Sequence, residues 1–270
     1  MTIADLKQSL DALAEKIPGR VAYAFEHPAS GARVERAPDE QFISASVIKT
    51  PILMEAFRQA KAGQIDWEEI LPLRDEDKVG GSGVLNVLHA GLPLTARDVA
   101  VLMTVVSDNT ATNIMIERLG VVNVNKFITD HGLSVTRCVR KLYDMPLIEK
   151  GIHNYIAAGE INYLLTLAGD GRLNGPEWDA DLIGMMKKQQ YREKIPHLLP
   201  PDAVTATKSG SLDEVSHDCG IIYLPNGDWF ALTICFGDLK GREDDTNRDA
   251  ANLIMAMMAL ACYRYVAETI

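Results

Sequence analysis

The sequence is short of the features that mark many protein classes. Its four cysteines, Cys138, Cys219, Cys235 and Cys262, form no CxxC pair. That argues against a zinc site and leaves reduced, partly buried thiols as the simplest reading. The six histidines are scattered and form no HExxH, so neither a metal nor a cofactor is expected. Positive charge is scarce too: 27 lysines and arginines stand against 37 acids, a net charge of −10. This argues against nucleic acid or an anionic membrane as partner. Apolar runs such as "LIMAMMALACY" stop short of the length that spans a bilayer. The N-terminal "MTIADLKQSLDALAEKIPG" lacks the basic start and apolar middle of a secretory leader. The expected location is therefore the cytosol, unless a leader has been removed.

What is present is a chain of 270 residues, 47% apolar and 24% charged, long enough for a sizeable core. Residues 3–17 predict a helix stopped by Pro18-Gly19. "RVAYAFEH" and "ARVERA" predict a hairpin around "PASG". A buried helix is predicted from Ser46 to Ala62, loosened early by Pro51 and capped by Gly63. A helical middle follows, in which Thr95 is the N-cap of "ARDVAVLMTVV". After residue 200, "AVTATKSGSL" predicts a strand. Two further β-rich runs flank Pro225-Asn226-Gly227, a strong hairpin signal, and one long helix ends the chain. Neither end holds enough strands for its own sheet, but together they supply five. The predicted fold class is α/β: one antiparallel five-stranded sheet built from both ends and flanked by helices, plus an all-helical lobe. The α/β lobe comprises 1–45 and 195–270, and the helical lobe 46–194.

Three short motifs carry chemistry. Ser46 and Lys49 stand three apart at the start of the apolar helix. A serine hydroxyl is a poor nucleophile without a base, and a desolvated lysine on the same face can be that base. Alone the pattern is weak, since SxxK occurs about once by chance in a chain this long; a helix cap beside a lysine snorkelling to water explains it equally. Ser107-Asp108-Asn109 follows 61 residues later, and Lys208-Ser209-Gly210 a further 101 residues on. Taken singly, these read as a helix-ending turn and a solvent-facing edge strand. Taken together, the order SxxK, SDN, K-[ST]-G points to acyl transfer through a serine.

On these motifs, and on "GSGVL", "GLSVTR" and "NRDAANLI", the chain resembles class A β-lactamases and penicillin-binding-type serine hydrolases over nearly its whole length. The resemblance implies that Ser46 is acylated and that Lys49 accepts its proton. Ser107 would relay that proton to the leaving nitrogen, and Asn109 would bind substrate or orient Lys49. Lys208 and Ser209 would hold a substrate carboxylate, and Gly210 would allow close approach of the substrate backbone. The N–H groups of Ser46 and Ser211 would form the oxyanion hole. The implied partner is a small molecule carrying a carboxylate and an amide or lactam.

One departure stands out. The family's water-activating Glu falls on Leu142, in Arg140-Lys141-Leu142-Tyr143-Asp144. A leucine cannot deprotonate water, so release of the acyl group needs Lys49, Asp144 or Glu149 as base, or is slow. Asp144 also suits a turn, or a loop clasp with Arg140. Tyr143 and Trp229 suit ligand stacking or plain packing. The expected activity is β-lactam amide hydrolysis, weakened at deacylation. The competing readings are an amidase, esterase or acyltransferase on another substrate, and a sensor acylated once.

Overall fold

The computed structural model describes residues 1–239 and 245–269. In chain order the first elements are α1 (Ile3–Ala14), β1 (Arg20–His27), β2 (Ala32–Arg36), β3 (Phe42–Ile43), α2 (Lys49–Lys61), β4 (Ile70–Pro72) and β5 (Pro93–Thr95). The middle holds α3 (Ala96–Val105), α4 (Asn109–Leu119), α5 (Val121–Asp130), α6 (Met145–Glu149), β6 (Tyr155–Ile156), α7 (Ala158–Gly169) and α8 (Pro176–Met186). The C-terminal part is β7 (Val204–Ser211), β8 (Ser216–Tyr223), β9 (Trp229–Gly237) and α9 (Asp245–Thr269).

Local signals account for the ends of several elements. Thr2 and Thr95 cap α1 and α3, each accepting from the N–H of an aspartate three residues on, which accepts in return. Gly227, at φ +89°, supplies the left-handed position of the β8–β9 turn. His27 at the β1–β2 turn places its ring between Ser30 and Asp228, at 2.8 and 2.9 Å, tying that turn to the β8–β9 turn.

The predicted five-stranded antiparallel sheet is present, in the order β2-β1-β9-β8-β7. Strand β1, from the start of the chain, pairs with β9, from its end, with Ala24 opposite Thr233. Alternation along the strands sends side chains to two different cores. Tyr23, Phe25, Phe230, Leu232, Ile234 and Phe236 pack with Leu6 and Leu10 of α1 and with Met255, Met258 and Val266 of α9. The other face presents the smaller Ala22, Ala206, Cys219, Ala231 and Cys235 to a second core shared with α2, α4, α7 and α8. Each fully buried Phe or Leu stabilises by about 1.5–3 kcal/mol, against 0–1 for a surface ion pair such as Lys7–Asp11. The two apolar layers therefore carry the fold. All four cysteines are free and buried, as expected.

Three features differ from the sequence expectation. Two small two-stranded sheets, β3–β6 and β4–β5, were not foreseen; at two or three residues per strand they leave no readable alternation. The segment Asp249–Glu268 is long and apolar enough to cross a membrane, contrary to the reading of its apolar run, yet it packs with Met255, Met258 and Cys262 buried beside the sheet. Strand β7 is a sheet edge, but not a solvent-facing one: residues 205–210 are all buried. A turn at Ala45–Ile48 lies against it.

Candidate active site

The nucleophile candidate sits on a tight turn. Ala45 adopts φ +43°, left-handed and rare for a residue with a Cβ. A 3₁₀ turn over Ala45–Ile48 follows, and α2 starts only at Lys49. The single α-helix predicted from Ser46 is thus corrected: Ser46 lies one tight turn before the α-helix. The Lys49 N–H donates to the Ser46 carbonyl. Val47 and Ile48 are buried in the helical core and hold the turn down. Pro51 is the third residue of α2, where an N–H has no intrahelical acceptor, so it does not loosen the helix as predicted.

The Ser107-Asp108-Asn109 segment is a junction between two helices rather than a helix end. Ser107 takes φ +54° after α3, and Asp108 caps α4 by accepting from the Ala111 N–H at 2.9 Å. The same carboxylate accepts from the N–H groups of Val84 and Leu85 at 2.6 and 2.9 Å. Asn109 adds a bond from its side-chain amide to the Gly80 carbonyl at 2.9 Å. The glycine-rich loop is thereby fastened to the site. Gly83 leaves no room for a Cβ, which would stand 2.2 Å from the Asp108 carboxyl carbon.

The three motifs converge on one hydroxyl. Lys49 Nζ lies 2.6 Å from the Ser107 carbonyl, 3.0 Å from Ser107 Oγ and 2.8 Å from Asn109 Oδ1. Lys208 Nζ reaches the same Ser107 Oγ at 3.1 Å and the Ser209 carbonyl at 2.8 Å. Both lysines are only 1% exposed, so neither snorkels to water. The left-handed backbone at Ser107 is what lets its carbonyl and its hydroxyl face Lys49 together, a strained conformation costing on the order of 1–3 kcal/mol.

Burial and charge act on both amines. Loss of water pushes the Lys49 amine well below its ordinary 10.5; the neighbouring Lys208 cation adds to this and the Asp108 carboxylate opposes it. Burial also pushes Lys208 down, to about 8, while Asp218 works in the opposite direction. Both amines are thus easier to deprotonate than a solvated lysine. Each amine's neutral form is favoured by its loss of water and by the positive charge of a neighbouring lysine.

Strand β7 is pressed against the Ser46 turn. A Cβ on Gly210 would stand 2.8 Å from the Ser46 nitrogen and 3.0 Å from that of Val47. The glycine serves this strand-to-turn contact, a use the sequence reading had given to the substrate backbone. Behind the strand lies a residue that reading missed. Lys194, 1% exposed, donates to Ser211 Oγ at 2.8 Å, the Gly210 carbonyl at 2.9 Å and the His217 carbonyl at 3.0 Å. It also opposes the burial that raises Asp218 to about 7. No motif surrounds Lys194; only its placement behind Ser211 gives it meaning.

A cavity of about 460 Å³ opens in front of these groups. Ser46, Asn109, Ser211, Asp213, Leu142, Tyr143 and Arg140 are among the residues that line it. Lys49, Ser107 and Lys208 lie buried behind that surface, and Ser209 is buried at 8% exposure. Leu142 is held by its backbone: Asn113 accepts from its N–H at 2.7 Å and donates to its carbonyl at 2.9 Å. Asn113 follows Asn109 by four residues on α4 and so shares its face, a spacing that makes it findable from the sequence. Asp144 is not on the cavity wall. It caps α6, accepting from the Leu147 N–H. Glu149 is exposed. The expected Arg140–Asp144 clasp does not form as an ion pair: Arg140 instead donates to the carbonyls of Ile152 and Lys141 at 2.9 and 3.0 Å. Tyr143 is 48% exposed on the cavity rim, whereas Trp229 packs over Gly169 of α7.

A turn-borne serine and two buried lysines bridged by a second serine make a serine–lysine site on a mixed α/β frame. The chain belongs to the β-lactamase enzyme family, whose sequence profile matches residues 5–266. Among solved structures, a β-lactamase from Sphaerobacter thermophilus is 26% identical with a TM-score of 0.88, covering 99% of this chain and 98% of that one. PBP-A is also 26% identical, with a TM-score of 0.87 and coverage of 98% and 96%. β-Lactamase L2 of Stenotrophomonas maltophilia is 30% identical over 144 residues, which is 52% of this chain and 46% of that protein. This chain thus matches a little under half the length of that relative. The family and fold support a serine hydrolase of amide bonds, of the β-lactamase or penicillin-binding type.

Proposed function

We propose that the protein hydrolyses the amide of β-lactam-type substrates through an acyl-enzyme on Ser46, and that release of the acyl group is its slow step. The observation that carries the reading is the convergence of Lys49 and Lys208 on Ser107 Oγ. In the proposed sequence the neutral Lys49 amine takes the Ser46 proton as Oγ attacks the carbonyl carbon. The oxyanion is held by the N–H groups of Ser46 and Ser211, each such donor contributing about 3 kcal/mol to the transition state. Ser107 passes the proton from Lys49 to the leaving nitrogen, so the C–N bond breaks without expelling an amide anion. The Lys208 ammonium, with the Ser209 and Ser211 hydroxyls, offers the counter-charge for a substrate carboxylate. Asn109 keeps Lys49 oriented.

Slow release rests on Leu142, which lines the cavity where a water-activating carboxylate belongs by resemblance. Lys49, returned to its neutral form, is the base left for water. That departure also favours a second reading, a penicillin-binding protein that is acylated once and stalls. PBP-A is a structural relative, and a leucine-to-glutamate variant of it is known as an acyl-enzyme complex with penicillin G. A chromogenic β-lactam and intact-protein mass spectrometry separate the readings. Steady turnover with a transient adduct on Ser46 supports hydrolysis; one equivalent of product and a lasting adduct support the stalled form. An adduct that persists in Ser46→Ala refutes both. Turnover of simple esters or linear amides without any reaction of the β-lactam points to an amidase or esterase instead.

A further inference from the structure

We infer that Arg140 forms an anion subsite in the cavity, selecting substrates whose acyl side chain carries a carboxylate. The inference deepens the acyl-enzyme reading of the same site and rests on it. In this chain acids outnumber bases by ten, and most arginines find a carboxylate. Arg20, Arg33, Arg58, Arg97 and Arg118 each sit within 4 Å of one. Arg140 is half-buried on the cavity wall, and among the described residues it has no such partner.

The guanidinium is held rather than loose. Its Nε donates to the Ile152 carbonyl at 2.9 Å and Nη1 to the Lys141 carbonyl at 3.0 Å, while Nη2 lies 3.5 Å from His153 Nδ1. Neutral acceptors therefore fix its position but leave its charge without a contact counter-ion. A guanidinium has five N–H donors, so two remain after these three contacts. Burial pushes the Arg140 guanidinium below its ordinary value, and the charge of Asp144 opposes this; the Asp144 carboxylate itself accepts from the Leu147 N–H at the start of α6. Arg140 shares its cavity with Ser46, and the Lys208 and Ser211 groups assigned to the first carboxylate lie on β7, a different element. A second anionic group on the acyl portion would meet Arg140 with the bidentate geometry that suits a carboxylate. Of the described residues lining the cavity, Arg140 is the one lysine or arginine and Asp213 the one carboxylate; Leu142, Met145 and Ile148 add apolar surface.

The test uses benzylpenicillin and carbenicillin, whose acyl side chains differ by one carboxylate. Acylation rate constants are measured on the native protein by intact mass, and non-covalent binding on Ser46→Ala by calorimetry. The native protein is expected to favour carbenicillin by about tenfold, the low end for a charge-assisted hydrogen bond. Arg140→Gln should bring that ratio close to one, and Arg140→Lys, which keeps the charge but not the fork, should keep only part of it. Because the readout is a ratio, general loosening of the loop cancels. Equal or weaker binding of carbenicillin to Ser46→Ala overturns the subsite, as does a ratio that Arg140→Gln leaves unchanged. If carbenicillin binds preferentially to Ser46→Ala but neither penicillin acylates the native protein, the acyl-enzyme reading falls and the subsite stands.

Discussion

Replacing Lys208 by arginine should change the shape of the pH profile more informatively than its height. Lys208 is wholly buried, and its amine is pushed down from 10.5 to about 8, first by burial. The free protein therefore keeps roughly nine-tenths of the ammonium at pH 7 and about one-tenth at pH 9. If that cation holds the substrate carboxylate, the second-order acylation rate is present below about 8 and falls roughly tenfold between pH 7 and pH 9. The acid limb is assigned to Lys49, whose amine burial pushes well below its ordinary value. The product is a bell whose alkaline side is set by a cation rather than by the base. An arginine at 208 stays charged throughout this range. It should lower the rate, because a larger head must fit where Nζ now bonds Ser107 Oγ at 3.1 Å. It should also remove the fall near pH 8. The assay is kcat/KM, or the acylation constant, of a chromogenic β-lactam from pH 5 to 10, which reports the free enzyme. A native profile flat to pH 10, or an alkaline limb that Lys208→Arg leaves in place, would refute the assignment.

Two further substitutions probe the frame of the site. Gly210→Ala puts a Cβ 2.8 Å from the Ser46 nitrogen, an overpacking that should cost about 1–3 kcal/mol. Melting should fall by roughly 3–10 °C and the Ser46 adduct should form at least tenfold more slowly, whereas Gly184→Ala, with open space around its Cβ position, should do neither. Leu142→Glu, on a backbone already clamped by Asn113, should raise the deacylation rate by about ten- to a hundredfold, the modest end of general-base catalysis. The decay of the mass adduct after excess β-lactam is removed measures it, and a decay no faster than native would count against the cavity position assigned to residue 142.

Which parts of the molecule could be read in the sequence follows from the range of the interactions involved. The β8–β9 hairpin was readable because Pro225-Asn226-Gly227 is a local conformational demand, and the cap at Thr95 was readable for the same reason. The site motifs were readable because acyl transfer needs particular side chains at fixed places. Lys194 and the unpaired charge of Arg140 were not, since each is defined by residues far along the chain: Lys194 by Ser211 and His217, Arg140 by a carboxylate that fails to arrive. The 3₁₀ start of the nucleophile turn also lay beyond pattern reading. Its hydrophobic spacing suits an α-helix, whereas the turn lies against β7, where Gly210 brings the strand close to the Ser46 backbone. Leu142 joins the two cases. Its side chain cannot take a proton from water, and that much the sequence shows. The structure adds that Asn113 grips only its N–H and carbonyl, contacts that any residue at 142 would make. The loop's position is thus encoded in α4 and the backbone, independently of the group it presents. A chain built this way can change the group it presents at 142 without losing the cavity wall. Acylation and deacylation then become separable properties of one site.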